Sequence, residues 1–309
     1  PEIKNYIFEY AKIDSLKLSD SVKRIGVKTF AASELRTVDL GNGINTIDDM
    51  SFANCKNLYE VSFGNSLKKI GTESFKGCTA LNEAILPESL EEIGLWAFQD
   101  CSNMTSLLIP KSVQYFGGGA FSCCGRLQTV EIENGVPFIP SYCFEYCKNL
   151  SSITLPETLV SIGACAFSNC VRIRSVKLSE KMVFVGEKAF ENCTDLQEVS
   201  CYATNPPICQ DDAFLNSHPE YMILRVPKGT KDRYATSKGW KDFGRIIDDL
   251  EVAGIEGITV PEKTITIDYD LPYTVYAIDG ALAGTSIELL SPGIYIVRQG
   301  QKSVKTVIK

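Results

Sequence analysis

The chain has 309 residues, is 44% hydrophobic and carries a formal net charge of −7, with a pI near 5.0. This acidic balance, with no block of clustered Lys or Arg, argues against a nucleic-acid-binding protein, because such proteins neutralise phosphates with grouped basic side chains. No apolar run approaches the roughly 18 residues that suggest a membrane-spanning helix, so we expect no transmembrane segment in this chain.

A phenylalanine that recurs at a fixed interval organises most of the chain. Its evenly spaced copies, each 23 residues after the last, are Phe52, Phe75, Phe98, Phe121, Phe144, Phe167 and Phe190. The same position continues at Phe30 and Phe8, at steps of 22 residues, and at Phe214, after 24 residues. Such a period predicts a solenoid of stacked repeats and overrides length as a guide to domain count. We expect the sequence to start inside a repeat, with upstream repeats missing, or at a capping turn.

Each repeat predicts one strand and one tight turn. A cysteine stands three residues after each of the seven phenylalanines, and an L-x-x-V-x-L segment follows, as in residues 58–63. Its alternation predicts a strand with one buried face, which Pro87, Pro110 and Pro156 end. A glycine marks the next corner of most repeats, and Pro140 replaces it once. Because proline cannot adopt a positive φ, we expect that this position requires small size or close packing rather than a positive φ. We expect the Ala-Phe-x-x-Cys part to form a single helical turn on the opposite side, and roughly nine rungs to build one parallel sheet.

The periodic array ends in a cap, and a different module follows. Residues Thr230–Phe243, with Tyr234, Trp240 and Phe243 among charged residues, predict a short amphipathic helix or turn that closes the core. From about Val252 the period is lost, and turn signals separate short β runs at 264–267, 273–278, 286–290, 294–297 and 303–308. We therefore predict a solenoid over residues 1–250, capped at about 220–250, and a small all-β, sandwich-like module over residues 251–309.

The 23-residue unit, with its Ala-Phe-x-x-Cys, L-x-x-V-x-L-P and Ile-Gly segments, resembles the BspA-like leucine-rich repeats of bacterial surface proteins. The segments 205–207, 226–229 and 239–243 resemble the closing part of those arrays. Residues 275–280 and 292–297 are similar to C-terminal β modules of secreted Bacteroidetes proteins, some of which are sorting signals. The resemblance implies a leucine-rich-repeat solenoid of the α/β class followed by the β module, in an extracellular or cell-surface protein whose relatives include adhesins. It implies no shared catalytic residues and no particular ligand.

The 12 cysteines would ordinarily indicate disulfides in an exported chain. Seven of them occupy one repeat position, where stacked rungs rarely present disulfide geometry, so we expect a reduced ladder in the core. Cys201 and Cys209 flank the Pro206-Pro207 loop and are the one pair for which a bridge stays open. With no CxxC pair and with His218 as the only histidine, the sequence favours neither a metal site, a cofactor nor histidine-dependent catalysis.

The variable outward positions of the strands form the candidate binding surface, which we expect to be one contiguous sheet face. Rung by rung they are Glu60 and Ser62, Glu83 and Ile85, Ser106 and Leu108, Thr129 and Glu131, Ser152 and Thr154, Ser175 and Lys177. Ile85 and Leu108 break the polar pattern on adjacent rungs beside Tyr59, which indicates either a contact site or a preference for β structure. The candidate ligand-contact residues are Tyr59, Glu60, Glu83, Ile85, Ser106, Leu108 and Glu131.

These observations favour a secreted or surface-displayed binding protein without enzymatic activity, whose sheet face binds a protein or a glycan, including ligands of the host extracellular matrix. One alternative is a structural component whose solenoids assemble with one another. A more distant one is a hydrolase that uses a pair of the 38 acidic residues. The sequence leaves the ligand, the anchoring mode and the oligomeric state open.

Overall fold

The computed structural model describes residues 1–210, 212–252, 274–277, 282–284, 293–299 and 302–308. The solenoid winds into about eleven coils, which exceeds the roughly nine expected. The rings of ten phenylalanines, from Phe8 to Phe214, stack in one column with neighbouring centroids 5.1–5.9 Å apart and planes within 11°. The coils are numbered by these rings, so that coil 1 holds Phe8 and coil 10 holds Phe214. The 23-residue period therefore sets the height of one coil.

One side of the solenoid carries the strands of the predicted L-x-x-V-x-L segments, in every coil except coil 4, and we call this side the face. Its strands are parallel and pair residues one repeat apart, as Thr129 pairs with Ser106. They fall into three groups: Ser15–Lys17, Thr37–Asp39 and Glu60–Ser62; Ser106–Ile109, Thr129–Ile132 and Ser152–Thr154; Ser175–Leu178, Glu198–Cys201, Ile223–Pro227 and Arg245–Leu250. Val61, Leu107 and Val130 point into the core, and the residues beside them alternate outward. This alternation is the one that the sequence predicts.

A second side, the corner side, carries two-residue parallel strands that end at the glycine corner. They are Glu2–Ile3, Arg24–Ile25, Thr46–Ile47, Lys69–Ile70, Glu92–Ile93 and Tyr115–Phe116, followed by Phe138–Ile139, Ser161–Ile162, Phe184–Val185 and Ile208–Cys209. A Cβ atom added at Gly94 would lie 2.5 Å from the carbonyl carbon of Gly71 in the preceding coil. Close packing, rather than a positive φ, therefore accounts for these glycines, as the sequence predicts.

The third side, the turn side, holds the Ala-Phe-x-x-Cys segments, and here the structure differs from the predicted helical turn. The Cys55 N–H donates to the Phe52 carbonyl at 3.2 Å, which closes one turn, while the Phe52 N–H donates to the Ser74 carbonyl of the next coil at 2.8 Å. In many coils the residues two before and two after the phenylalanine have left-handed φ values, such as 56° at Met50 and 61° at Asn54. Because each left-handed residue reverses the winding, the segment cannot continue as a helix. Within the described residues the helical elements are Lys231–Thr236 (α) and Pro219–Tyr221 (3-10).

The seven repeat cysteines form the predicted reduced ladder. Each thiol donates a hydrogen bond to the carbonyl oxygen of the phenylalanine one coil earlier, at 3.0–3.4 Å, from the Cys55–Phe30 pair to the Cys193–Phe167 pair. All 12 cysteines are free thiols. Cys201 is therefore unbridged to Cys209 and instead accepts a hydrogen bond from the Tyr234 hydroxyl at 3.2 Å. Burial raises the pKa of the Cys193 thiol to about 12 and that of Cys201 to about 11, which keeps both protonated.

The cap closes the last coil with three aromatic side chains. Phe243 packs edge-on against Phe214, with ring centroids 5.1 Å apart. The buried Trp240 donates from Nε1 to the Pro207 carbonyl at 2.8 Å, and the Tyr234 hydroxyl donates to the Ala203 carbonyl at 2.6 Å. The short α-helix lies inside the predicted segment Thr230–Phe243. The cap is thus both apolar and fully hydrogen-bonded at its tryptophan and tyrosine.

The tail contains an antiparallel sheet, which agrees with the predicted all-β module. Its strands, in spatial order, are Leu282–Gly284, Thr274–Ala277, Gly293–Gln299 and Lys302–Ile308. Three of them coincide with predicted β runs, whereas the runs at 264–267 and 286–290 lie outside the described residues. The division of the chain at residues 250 and 251 stays a prediction.

Candidate binding face

The structure brings most of the predicted contact residues onto the face in the expected register. Ser106 pairs with Thr129 and Leu108 with Glu131, and Thr129 and Glu131 pair in turn with Ser152 and Thr154 of the next coil. Glu60 lies two coils before Ser106, on the strand of coil 3. Because the strands are parallel and in register, each outward residue has its repeat counterpart as its neighbour.

An apolar centre lies where two exposed aliphatic side chains come from neighbouring coils. Ile85 is 72% exposed and Leu108 is 43% exposed, while Tyr59 of the preceding coil is 39% exposed. The Arg36 guanidinium lies over the Tyr59 ring, 5.9 Å from its centroid. A shallow depression of about 450 Å³ follows residues 83–86, 106–108, 129–131, 152 and 154. Five of the seven predicted residues line this depression, and Tyr59 and Glu60 lie outside its lining on the preceding coil.

The face is not one continuous sheet, which corrects the expectation of a contiguous sheet face. Residues 83–86 form no strand, and the backbone N–H groups of these four residues donate to no other backbone group among the described residues. Only long bonds remain at the start of this rung, from the Asn82 N–H to Tyr59 at 3.4 Å and from the Thr105 N–H to Asn82 at 3.3 Å. The candidate site therefore contains a segment, residues 83–86, whose backbone N–H groups do not pair with a neighbouring coil. We call this segment the open rung.

Side-chain sizes in adjacent coils account for this open rung. Phe63 occupies the position of Leu40 and Ile109, and its ring packs edge-on against both Phe75 and Phe98, at 5.6 and 6.4 Å. At the inward position before it, the open rung has the small residue Ala84, where the neighbouring coils have Val61 and Leu107. A large ring that reaches across two coils next to an undersized residue shifts the rung out of the ladder, because cores are close-packed.

The charges around the apolar centre are mostly negative. Glu60, Glu83 and Glu131 are exposed, and none of the three makes an ion pair within the described residues. Lys177 lies on the same face two coils beyond Glu131. Unpaired carboxylates around aliphatic side chains favour a ligand with an apolar contact and a basic or hydrogen-donating rim.

The structure adds a larger depression of about 830 Å³ that sequence reasoning missed. It follows the ends of the face strands of coils 6 to 8, at residues 131–134, 154–157 and 177–180, and includes Lys111 and Tyr202. Its charged residues include Glu131 and Lys177 within the strands and Glu133, Glu157 and Glu180 just after them. A comparison of these positions along the period could have indicated it.

The described residues assemble neither a metal site nor a histidine-based catalytic site. The described residues contain no group of three His, Cys, Asp or Glu side chains placed to hold a metal ion. His218 is exposed, as expected, and its Nδ1 lies 3.2 Å from Glu220 Oε1. The Glu220 carboxylate accepts hydrogen bonds from the Glu220 backbone N–H and from the His218 side chain, and these lower the pKa of Glu220. In the part of the chain that the structure describes, no helix has the length and apolarity to cross a membrane.

The sequence matches a family model of the BspA type leucine rich repeat region, in six copies, over residues 1–128 and 114–227. The chain belongs to the BspA-type leucine-rich-repeat family. A comparison with curated proteins finds no match.

Two crystal structures of leucine-rich repeat proteins show a similar fold. A leucine-rich repeat protein from Bacteroides ovatus is similar over 76% of this chain and 68% of its own, with 22% identity and a TM-score of 0.53. The leucine rich repeat protein of T. pallidum is similar over 56% of this chain and 82% of its own, with 28% identity and a TM-score of 0.52. The family and the fold support a repeat-based binding or surface role.

Proposed function

We propose that this BspA-type protein is a secreted or surface-displayed binding protein that acts without a cofactor and without catalysis. Its binding site is the face around Ile85 and Leu108, and its ligand is an extracellular protein. The observation that carries this proposal is the pair of exposed aliphatic side chains on adjacent coils, 72% and 43% exposed, within a rim of unpaired carboxylates. Exposed apolar groups with polar surroundings are the usual centre of a protein contact.

The preformed scaffold supports the proposal energetically. The coils around the face are held by a continuous phenylalanine column and by hydrogen bonds on the corner and turn sides. A ligand therefore meets side chains whose backbone is already ordered, which lowers the entropic cost of association. Glu60, Glu83 and Glu131 favour a partner surface with basic groups at its edge.

The test is a binding screen of the folded protein against purified extracellular-matrix proteins, followed by variants of the face. For a ligand found in this way, the double variant I85S/L108S should weaken binding about tenfold or more, because contacts at the centre of an interface dominate its affinity. The variant Tyr221→Ser, which changes an 84% exposed aromatic residue outside the face, is the matched control. Unchanged affinity of the double variant would remove the face as the site.

Charge and location are tested separately. Binding should weaken as salt rises, since the carboxylate rim is exposed and screened. Surface labelling of intact cells that express the protein, compared with lysed cells, tests its display. The alternative of self-assembly predicts light scattering that increases with protein concentration without any ligand.

A further inference from the structure

The turn side of coils 5 to 7 carries a cluster that the face does not explain. Trp96, Tyr142 and Tyr146 are 40%, 46% and 42% exposed, and all three have left-handed backbones, with φ of 50°, 62° and 59°. At the position of Tyr146 several other coils carry residues suited to this conformation, such as Asn54 and Asn169, whereas the position of Trp96 and Tyr142 carries mixed residues, and coil 1 is the one other coil with aromatic residues at both positions. Bulky aromatic residues are unfavourable there and gain little from burial when half exposed. Folding alone therefore does not account for them.

A gap without side chains separates the aromatic residues. Coil 6 contributes Gly117–Gly119 between Trp96 of coil 5 and Tyr142 of coil 7. Gly119 has a φ of 64°, and a Cβ atom added to it would lie 2.2 Å from Cδ1 and 2.3 Å from Nε1 of Trp96. The pyrrole edge of the indole thus lies directly on the glycine backbone. Its Nε1–H makes no hydrogen bond within the described residues.

Coils 6 and 7 lie farther apart than other neighbouring coils, and their side chains explain this wider spacing. The Phe121 and Phe144 rings are 5.9 Å apart, the widest step of the column. Phe116 packs edge-on against both of them, at 5.8 and 6.3 Å. Pro137 and Pro140 stand where coil 6 has Gln114 and Gly117, whose N–H groups donate to coil 5. Because proline has no N–H, the corner strands of coils 6 and 7 do not pair, and the step can widen.

Acceptors line the centre of the cluster. The Cys123 N–H of coil 6 donates to the Glu145 carbonyl of coil 7 at 2.7 Å, and the carboxylates of Asp100 of coil 5 and Glu145 add to the rise in the pKa of the Cys123 thiol that burial causes. The cations nearby are already engaged, since Lys76 lies over the Trp96 ring and Lys148 over the Tyr146 ring, at 6.0 and 5.8 Å from the centroids. The two carboxylates repel an anionic ligand and accept hydrogen bonds from a neutral one. Flat rings beside these acceptors complement a pyranose, which presents an apolar C–H face and a rim of hydroxyl donors.

We propose that the turn side of coils 5 to 7 is a second binding site, which holds a neutral glycan by stacking sugar rings on Trp96 and Tyr142. Tyr146 extends the aromatic surface, and Asp100 and Glu145 accept hydrogen bonds from sugar hydroxyls. The Trp96 Nε1–H donates to a ring or hydroxyl oxygen. Gly119 lets the indole lie flat, so that a chain of sugars can cross from coil 5 to coil 7. This site lies on a different side of the coil from the face, so the two proposals stand or fall separately.

The tryptophans provide a direct readout. Trp240 is fully buried, so a change of emission on ligand addition reports Trp96. We expect at least one neutral hexasaccharide from a panel of gluco- and manno-oligosaccharides to shift Trp96 emission saturably and to protect it from acrylamide. For that oligosaccharide, Tyr142→Ala should weaken binding about tenfold, as should Trp96→Ala measured by calorimetry.

Two further variants distinguish binding at this site from binding elsewhere on the solenoid. Gly119→Asn tolerates the left-handed backbone, but its Cβ would displace the Trp96 indole, so it should weaken binding in a protein that still contains both tryptophans. Tyr10→Ala, at the Tyr146 position of coil 1, is the matched control and should bind unchanged, as should I85S/L108S. Lack of response to every oligosaccharide, binding that persists in Trp96→Ala, or a response to tetramethylammonium alone would each overturn the proposal.

Discussion

The thiol of Cys101 donates a hydrogen bond to the carbonyl oxygen of Phe75, 3.3 Å away in the preceding coil. The same contact recurs along the column, and at both ends a serine takes the position of the cysteine. Ser217 Oγ donates to the Phe190 carbonyl at 2.5 Å, and Ser33 Oγ lies 3.3 Å from the Cys55 thiol. The column thus requires a small donor that links neighbouring coils.

The first prediction follows from this requirement. Cys101→Ser keeps a small donor and should lower the free energy of unfolding by less than about 1 kcal/mol. Cys101→Val removes the donor and adds volume, so it should cost about 1–3 kcal/mol. Urea unfolding of both variants measures the difference. Equal losses would show that the thiol acts only by filling space.

The second prediction concerns thiol reactivity. In the folded protein only Cys123 and Cys165 are partly exposed, because the other ten cysteines are buried. Alkylation without reductant should therefore modify two thiols quickly in the native state and all 12 after denaturation. Mass spectrometry counts the added groups. Ten or fewer in denaturant would reveal a disulfide, with Cys201 and Cys209 as the first pair to examine.

The third prediction concerns the open rung of the face. The amides of residues 83–86 should exchange with solvent deuterium faster than those of residues 129–132, because only the latter lie in a paired strand. Hydrogen-exchange mass spectrometry on the folded protein makes the comparison. Equal protection in the two segments would contradict the interruption of the sheet.

The fourth prediction is a pH effect at Glu145. Burial and then the Glu191 charge raise the pKa of this carboxyl above its ordinary value. A carboxyl with a raised folded-state pKa stabilises the fold when protonated, and this contribution is lost as pH rises through the folded value. Glu145→Gln should therefore be more stable than the parent at neutral pH, and the difference should vanish below about pH 4. Thermal unfolding at several pH values measures it, with the exposed Glu131→Gln as control.

The period of the sequence predicts the architecture well because it reports buried positions. Phe98, Cys101 and Leu107 each recur at one height, so the columns, the register and the inward strand residues follow from spacing alone. The turn side could not be predicted in the same way. An Ala-Phe-x-x-Cys segment suits either a helical turn or two reversed turns, and the choice depends on hydrogen bonds to the next coil, such as that from Phe52 to Ser74.

The candidate sites depend on neighbours that are distant in sequence. Ile85 and Leu108 are visible as exceptions to an alternating pattern, so the centre of the face could be found. The open rung could not, because it arises from Phe63 acting on Ala84 one coil later. The turn-side cluster needs Trp96, Gly119 and Tyr142 to be compared at one repeat position. That comparison was possible from sequence, but the glycine run 117–119 is more readily interpreted as an irregular form of the glycine corner.

The sheet interruptions fall on different sides of the coil at different heights. At coils 3 to 5 only the face is unpaired, while the corner strands Lys69–Ile70 and Glu92–Ile93 remain joined. Between coils 7 and 8 the face is again unpaired, while the corner strands Ser161–Ile162 and Phe184–Val185 remain joined. Between coils 6 and 7 only the corner is unpaired, while Thr129 and Ser152 remain joined. At each of these heights, one side of the coil therefore keeps its strand pairing to the next coil. A lateral load would therefore bend the solenoid at separate joints and in separate directions before it detached any coil.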